Sequence, residues 1–235
     1  MPSTESSPSA NRLIAALPRK DRQRFLAGCA PVELVFAEVL AKPGTLIAHV
    51  YFPTESSISL TTPTDACASL EVSMVGDEGM LGTTLILGVD ISPLHAVVQG
   101  AGPALRMDTA RFRRELTTST TLQREVKRYL YVTMNQMAQT AACARLHVVE
   151  KRLARWLLMT HDRAHSDEFY VTHEFLAYML GVRRVGVTMA ATSLQKRKLI
   201  SYSRGRITVL DRVGLEAAAC ACYAADKAAY TRIMA

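Results

Sequence analysis

The spacing of apolar positions changes along the chain, and the changes mark its parts. From Asn11 to Gly28 the residues Leu13, Ile14, Leu17, Phe25 and Leu26 recur as on a helix, interrupted at Pro18. From Val32 to about Met107 the pattern breaks into short β-type runs separated by turn residues. Residues 32–40 form the first run, and the Pro43-Gly44 turn leads into 46–52. Further runs follow at 57–62, 69–75, 94–99 and 104–107. Many short strands at this spacing predict a barrel or jelly roll. After Asp108 the period becomes helical. Ser119 or Thr120 caps a long helix reaching about Ala144, on which Leu122, Val126, Tyr129, Thr133, Met137, Thr140 and Ala144 recur every three to four residues, as on a coiled-coil seam. A further helix runs from Leu146 to about Arg163, and residues 161–168 read as a polar connector.

The stretch from Thr172 to Arg206 is the most specific. Thr172 caps a helix whose apolar face is Phe175, Leu176, Met179 and Leu180, and Gly181 ends it where a tight turn asks for positive φ. Small Ala177 lets a second helix cross closely. That helix begins near Arg183 and buries Val187, Ala190, Ala191 and Leu194. Two short strands, 199–202 and 207–210, flank Arg204-Gly205-Arg206 as a hairpin. Helix, turn, helix and hairpin make a winged helix-turn-helix. A last helix runs from Asp211 to about Ile233.

Charge sharpens this picture. The chain's formal net charge is +7, and residues 145–235 account for all of it with 15 Lys/Arg against 8 Asp/Glu. Between Arg183 and Arg206 there are seven basic residues and no acid. A polyanion is the natural partner of such a half, and double-stranded DNA fits the helix geometry. Residues 1–10 are polar and read as a disordered tail without the order of a secretory signal. No apolar run reaches the roughly 18 residues of a membrane span, so no membrane partner is expected. Five unevenly scattered cysteines do not form a disulfide framework, which points to a reducing cytoplasm.

The order of parts resembles the Crp/Fnr family of bacterial transcription regulators. The pieces carrying the resemblance are PGTLIAHVYFPTESSISL (43–60), VGDEGMLG (75–82), HVVEKRLARWLL (147–158) and THEFLAYMLGVRR (172–184). The resemblance implies an α+β chain. A disordered tail (1–10) precedes a cyclic-nucleotide-binding-like β-roll sensor (11–118), which is followed by a dimerisation helix (119–145) and a winged helix-turn-helix (146–235). It implies a homodimer joined through the long helix, a palindromic promoter site and contact with RNA polymerase. It also places an effector pocket around Gly76, Glu78, Gly79, Met80, Leu81, Gly82, Ser92 and His95. Met80 stands where cyclic-AMP-binding relatives carry a ribose-binding Glu, Ser92-Pro93 replaces their phosphate-binding pair, and no Arg occurs between Lys42 and Arg106. A buried phosphate without a cation is poorly compensated, so cyclic AMP is not the expected ligand and the effector is an unidentified small molecule. The N-terminal cysteine cluster of the iron–sulfur branch is absent too, and no cofactor is expected.

The expected base-reading residues are Arg183, Arg184, Val185, Thr188 and Met189. Arg184 matches the family's guanine-reading arginine, while Val185 and Met189 replace a common Glu and Arg and can touch thymine methyls. Thr172, Thr192, Lys196, Tyr202, Arg204 and Arg206 are the expected phosphate contacts. Cys143 and His147 lie i, i+4, as do His161 and His165; such pairs can share a metal, but two ligands are not a site and no third partner is evident. Cys220 and Cys222 read as packing residues of the last helix, with redox sensing as the alternative. No nucleophile elbow, phosphate loop, HExxH or paired carboxylates indicate an enzyme. The stronger rival is a ligand- or redox-sensing β-roll module with weak or no specific DNA binding.

Overall fold

A computed structural model describes residues 11–63 and 69–235; the expected tail 1–10 and Cys67 lie outside the described residues. Two short helices, α1 (Arg12–Ala15) and α2 (Arg19–Leu26), open the chain on either side of Pro18. Asn11 caps the first, its Oδ1 accepting from the backbone of Leu13 and Ile14. Seven strands then form two facing sheets. One has the order β1 (Ala30–Leu34), β7 (Gly102–Asp108), β3 (His49–Pro53); the other runs β2 (Val39–Ala41), β6 (His95–Gly100), β4 (Ser57–Pro63), β5 (Ser69–Val75). All pairings are antiparallel, so this is the expected jelly-roll arrangement. The single run expected at 32–40 is split in two, because the chain turns at Ala37, where φ is +65°.

Helix α3 (Thr109–Thr118) leads through Ser119 into the long helix α4 (Thr120–Leu146). Ser119 caps α4 as expected, its Oγ accepting from Leu122 N at 3.1 Å. The expected seam needs correction. Leu122, Val126 and Tyr129 are buried in the chain's own core with Phe25, Phe52 and Phe112, and Thr133 is buried beside them. Large apolar side chains left exposed on α4 are Tyr131 (51%) and Met134 (61%), one step around the helix, and Leu146 (75%) at its end. Gly79 shows how closely α4 presses on the β-roll, since a Cβ there would lie 1.9 Å from the Tyr129 hydroxyl.

The C-terminal half also departs in detail from expectation. Leu146 belongs to α4, and the next helix, α5, spans Val149–Ala164 after a break at His147-Val148. His161 lies within α5. The expected connector ends in a strand, β8 (Glu168–Tyr170), which pairs with the second hairpin strand. Helices α6 (His173–Leu180) and α7 (Arg184–Lys196) are followed by β9 (Ile200–Ser203) and β10 (Arg206–Val209), in the sheet order β8-β10-β9. The single last helix is two, α8 (Arg212–Ala218) and α9 (Cys222–Met234), broken around Cys220. Helix α9 returns to α4, and its Tyr230 and Met234 pack on the β-roll core. A separate core joins α5–α8 to the wing strands and takes in Met74 from β5.

A buried polar chain crosses between the halves. Ser59 Oγ lies 2.5 Å from Glu71 Oε2 and 2.7 Å from Gln99 Oε1, and Gln99 Nε2 donates to Thr160 Oγ1 of α5 at 2.9 Å. A hydroxyl has one proton and cannot donate to both acceptors. A protonated Glu71 resolves this by donating to Ser59, which then donates to Gln99. Burial pushes the Glu71 carboxyl up to about 7, in keeping with that arrangement. Its ordinary value is 4.5, so the folded chain binds the extra proton between these limits. The stabilisation is therefore full below about pH 4.5 and is lost as pH rises through about 7. Unfolding curves across that range are expected to show the wild-type chain losing up to about 3 kcal/mol that Glu71→Gln does not lose. Parallel pH profiles would refute the assignment.

Candidate nucleic-acid interface

The helix-turn-helix forms as its residues dictate. Thr172 Oγ1 accepts from Phe175 N at 3.1 Å and starts α6. Gly181 ends α6 with φ +60°, and Val182 N closes the turn on Ala177 O at 3.0 Å. Helix α7 buries Val187, Ala190, Ala191 and Leu194, the four residues expected. Its other face is open. Arg183, Arg184, Thr188, Thr192 and Lys196 are exposed, with Val185 at 63% and Met189 at 70%. At the wing tip Arg204 and Gly205 both take positive φ, +50° and +82°, making a tight two-residue hairpin turn.

These side chains differ in how free they are. Among the described residues, Arg183, Arg184, Lys196 and Arg204 make no ion pair. Arg206 instead pairs with Glu168 of β8, Nη1 to Oε1 at 2.5 Å, and Arg197 pairs with Glu150 of α5 at 2.9 Å. Both pairs are substantially exposed, so an approaching phosphate can compete with the carboxylate at small cost. Thr172 is held as a helix cap. Thr188 is held too, its Oγ1 3.1 Å from Arg184 O and 3.0 Å from His173 Nδ1.

His173 is a residue that sequence reasoning missed. Its ring stacks on Tyr202 with centroids 4.3 Å apart and planes within 10°. It thus joins the starts of α6 and α7 to the wing, and fixes Tyr202 as a packing residue as much as a surface one. Partial burial, then the nearby Arg184 charge, lower the His173 pKa and favour the neutral ring. A neutral ring with its proton on Nδ1 donates to Thr188, whose own proton then goes to the Arg184 carbonyl. The only signal in the sequence was a histidine at the first turn of α6.

Four of the eight expected effector residues converge on one cavity and four do not. A cavity of about 210 Å³ lies between the β-roll and α4 and is lined by Met80, Leu81, Gly82 and Ser92, together with Leu130, Met134 and Met137 of α4. Gly76, Glu78, Gly79 and His95 do not line it. Glu78 is buried and bound to Arg163 of α5, whose Nε and Nη2 lie 2.9 and 2.5 Å from Oε1. Gly76 lies against Arg163 and Gly79 against Tyr129. His95 is a register residue of β6, opposite Thr61. No Asp, Glu, Lys or Arg lines the cavity.

A sheet roll, a long helix and an open-faced second helix with a wing define a two-part architecture of β-roll and winged helix-turn-helix. Residues 151–218 match the family model of the Crp-like helix-turn-helix domain. The fold is that of Crp/Fnr transcription regulators. The chain is similar to FixK2 from Bradyrhizobium japonicum, with 11% identity, coverage of 82% of this chain and 98% of that one, and a TM-score of 0.69. It is also similar to the c-di-GMP-responsive global regulator CLP of Xanthomonas campestris, at 15% identity, 82% and 99% coverage, and a TM-score of 0.66. A CRP-family transcriptional regulator from Thermus thermophilus gives 18% identity, 80% and 96% coverage, and a TM-score of 0.67. No curated protein matches the sequence. Among the described residues, no helix is long and apolar enough to cross a membrane.

Proposed function

We propose that this protein is a transcription regulator of the Crp/Fnr type that binds double-stranded DNA as a homodimer on a palindromic promoter site. The observation that carries the reading is the pair Arg183 and Arg184, exposed and without ion-pair partners among the described residues at the start of α7, with Val185 and Met189 bare beside them. Arginine there can grip a guanine edge with two hydrogen bonds, and the apolar pair favours thymine methyls. Thr192, Lys196, Arg204 and Arg206 border this patch as phosphate contacts that fix register. Tyr131 and Met134, with the small exposed Ala138 and Ala142 further along α4, offer the face through which two copies would meet. RNA polymerase would be the further partner on the promoter, in a reducing cytoplasm.

The β-roll cavity supports a sensing role for an uncharged, largely apolar small molecule. A phosphate inside it would meet no Lys or Arg, only the His49 imidazole at the wall, which argues against cyclic AMP. The rival reading, a sensing module without DNA contact, leaves the exposed arginines and thymine-sized apolar pair unexplained.

Selection of bound sequences from a random duplex library is expected to return a twofold-symmetric site; recovery of none would overturn the regulator reading. Arg184→Ala should cost about 1–3 kcal/mol at that site and little on random DNA. Lys196→Ala should weaken both alike and reduce the salt slope by about one. Equal losses for Arg184→Ala on both DNAs would deny base readout, and an unchanged slope would remove Lys196 from the phosphate set. Calorimetric titration with cyclic AMP should show no saturable binding; tight one-to-one binding would contradict the cavity assignment.

A further inference from the structure

A cysteine–histidine pair and a cysteine pair that are far apart in sequence meet in space. Cys143 lies in the last turn of α4 and His147 follows the helix end. Cys220 and Cys222 lie at the break between α8 and α9. The four ligand atoms, three Sγ and one imidazole nitrogen, all lie within 4.8 Å of one another. Cys143 Sγ is 3.5 Å from Cys220 Sγ, and Cys222 Sγ is 3.6 Å from His147 Nδ1. The three cysteines are buried, at 2%, 5% and 3% exposure.

We propose that Cys143, His147, Cys220 and Cys222 form a tetrahedral site for a single zinc-class divalent ion. With metal–sulfur bonds of about 2.3 Å and metal–nitrogen bonds of about 2.0 Å, tetrahedral geometry puts ligand atoms roughly 3.5–3.8 Å apart. The separations of 3.5 and 3.6 Å fall in that range, and each is too long for a covalent bond. Buried thiols that merely fill space need not aim their sulfurs, with an imidazole, at one point. An iron–sulfur cluster needs sulfurs spread over several irons, wider than this cage.

The surroundings suit thiolates. Gln139 Nε2 donates to Cys222 Sγ at 3.0 Å, a support that orients a ligand and favours its charged form. Arg155, only 5% exposed, stands beside Cys143, and its Nε has no partner among the described residues. Arg152 also faces Cys143 and Cys220 and forms no ion pair among the described residues. Three thiolates, a neutral imidazole and a divalent ion sum to one negative charge, which Arg152 can balance. The ion would bind the elbow between α4 and α5 to the start of α9.

The test uses the full chain, reduced and freed of metal, titrated with Co²⁺ or Zn²⁺ alone. One equivalent of Co²⁺ is expected to give thiolate-to-cobalt charge transfer and the intense visible bands of a tetrahedral centre, displaced by one equivalent of Zn²⁺. Cys143→Ser and Cys222→Ser should lose these bands. Gln139→Ala removes the N–H···S support but no ligand, and should weaken binding about 10- to 100-fold without unfolding the chain. Weak octahedral spectra, no stoichiometric binding, undiminished binding in Gln139→Ala or either serine variant, or a Cys143–Cys220 disulfide in anaerobically purified protein would each overturn the proposal.

Discussion

The pair Glu78–Arg163 is the interaction on which the relation of the two halves depends. It buries opposite charges where the turn after β5 meets α5, with side chains 8% and 11% exposed. Arg163 also donates to Met159 O at 2.8 Å, and Tyr230 of α9 donates to the Glu78 carbonyl at 3.2 Å. Three distant segments therefore converge on Glu78, α5 through its carboxylate and α9 through its backbone carbonyl. Removing one member of such a pair leaves an unpaired buried charge, a loss of about 3–5 kcal/mol, whereas an exposed pair is worth at most about 1 kcal/mol. By that measure Arg163–Glu78 outweighs exposed pairs such as Arg113–Asp90 and Arg206–Glu168, which hardly bear on how the halves meet.

The same pair explains why the β-roll was only partly legible in the sequence. Strand positions follow from alternation and turn residues, and those signals are local. Glu78 lies in a glycine-flanked turn that looks like a ligand loop, and nothing local announces a partner 85 residues away. The glycines were open to the same misreading. Gly79 is required by the approach of Tyr129 rather than by a ligand. Met80, Leu81, Gly82 and Ser92 do border the cavity, because the chain beyond Gly79 turns back under α4.

The helix-turn-helix was legible almost to the residue for the opposite reason. Its cap Thr172, turn Gly181 and stripe Val187, Ala190, Ala191 and Leu194 act over one or two turns of helix. What the sequence hid was tertiary. An acid-free run from Arg183 to Arg206 acquires two carboxylates when β8 pairs with β10 and α5 packs beside α7. The long helix shows the limit of periodicity. Its stripe of apolar and small residues predicted one packed face, and the chain's own β-roll took that face, leaving Tyr131 and Met134 outside. The cysteine and histidine cluster was hidden by separation, since each half alone is an incomplete ligand set.

Helix α4 is then shared by everything the molecule could use to respond. Leu130, Met134 and Met137 line the β-roll cavity, and Met134 is also bare on the outer face. Farther along, Cys143 and His147 stand at the elbow that leads into α5, against which α7 packs. A group bound in the cavity and a second copy packed on the outer face would thus press on the same two turns. Such a ligand shifts the balance of arrangements only as far as its affinity differs between them. Where α4 moves as one rod, a displacement at Met134 would reach the elbow at His147 with the helix. Coupling in the proposed regulator therefore needs no chain of contacts through the β-roll, only that α4 remain one unbroken rod from Thr120 to Leu146.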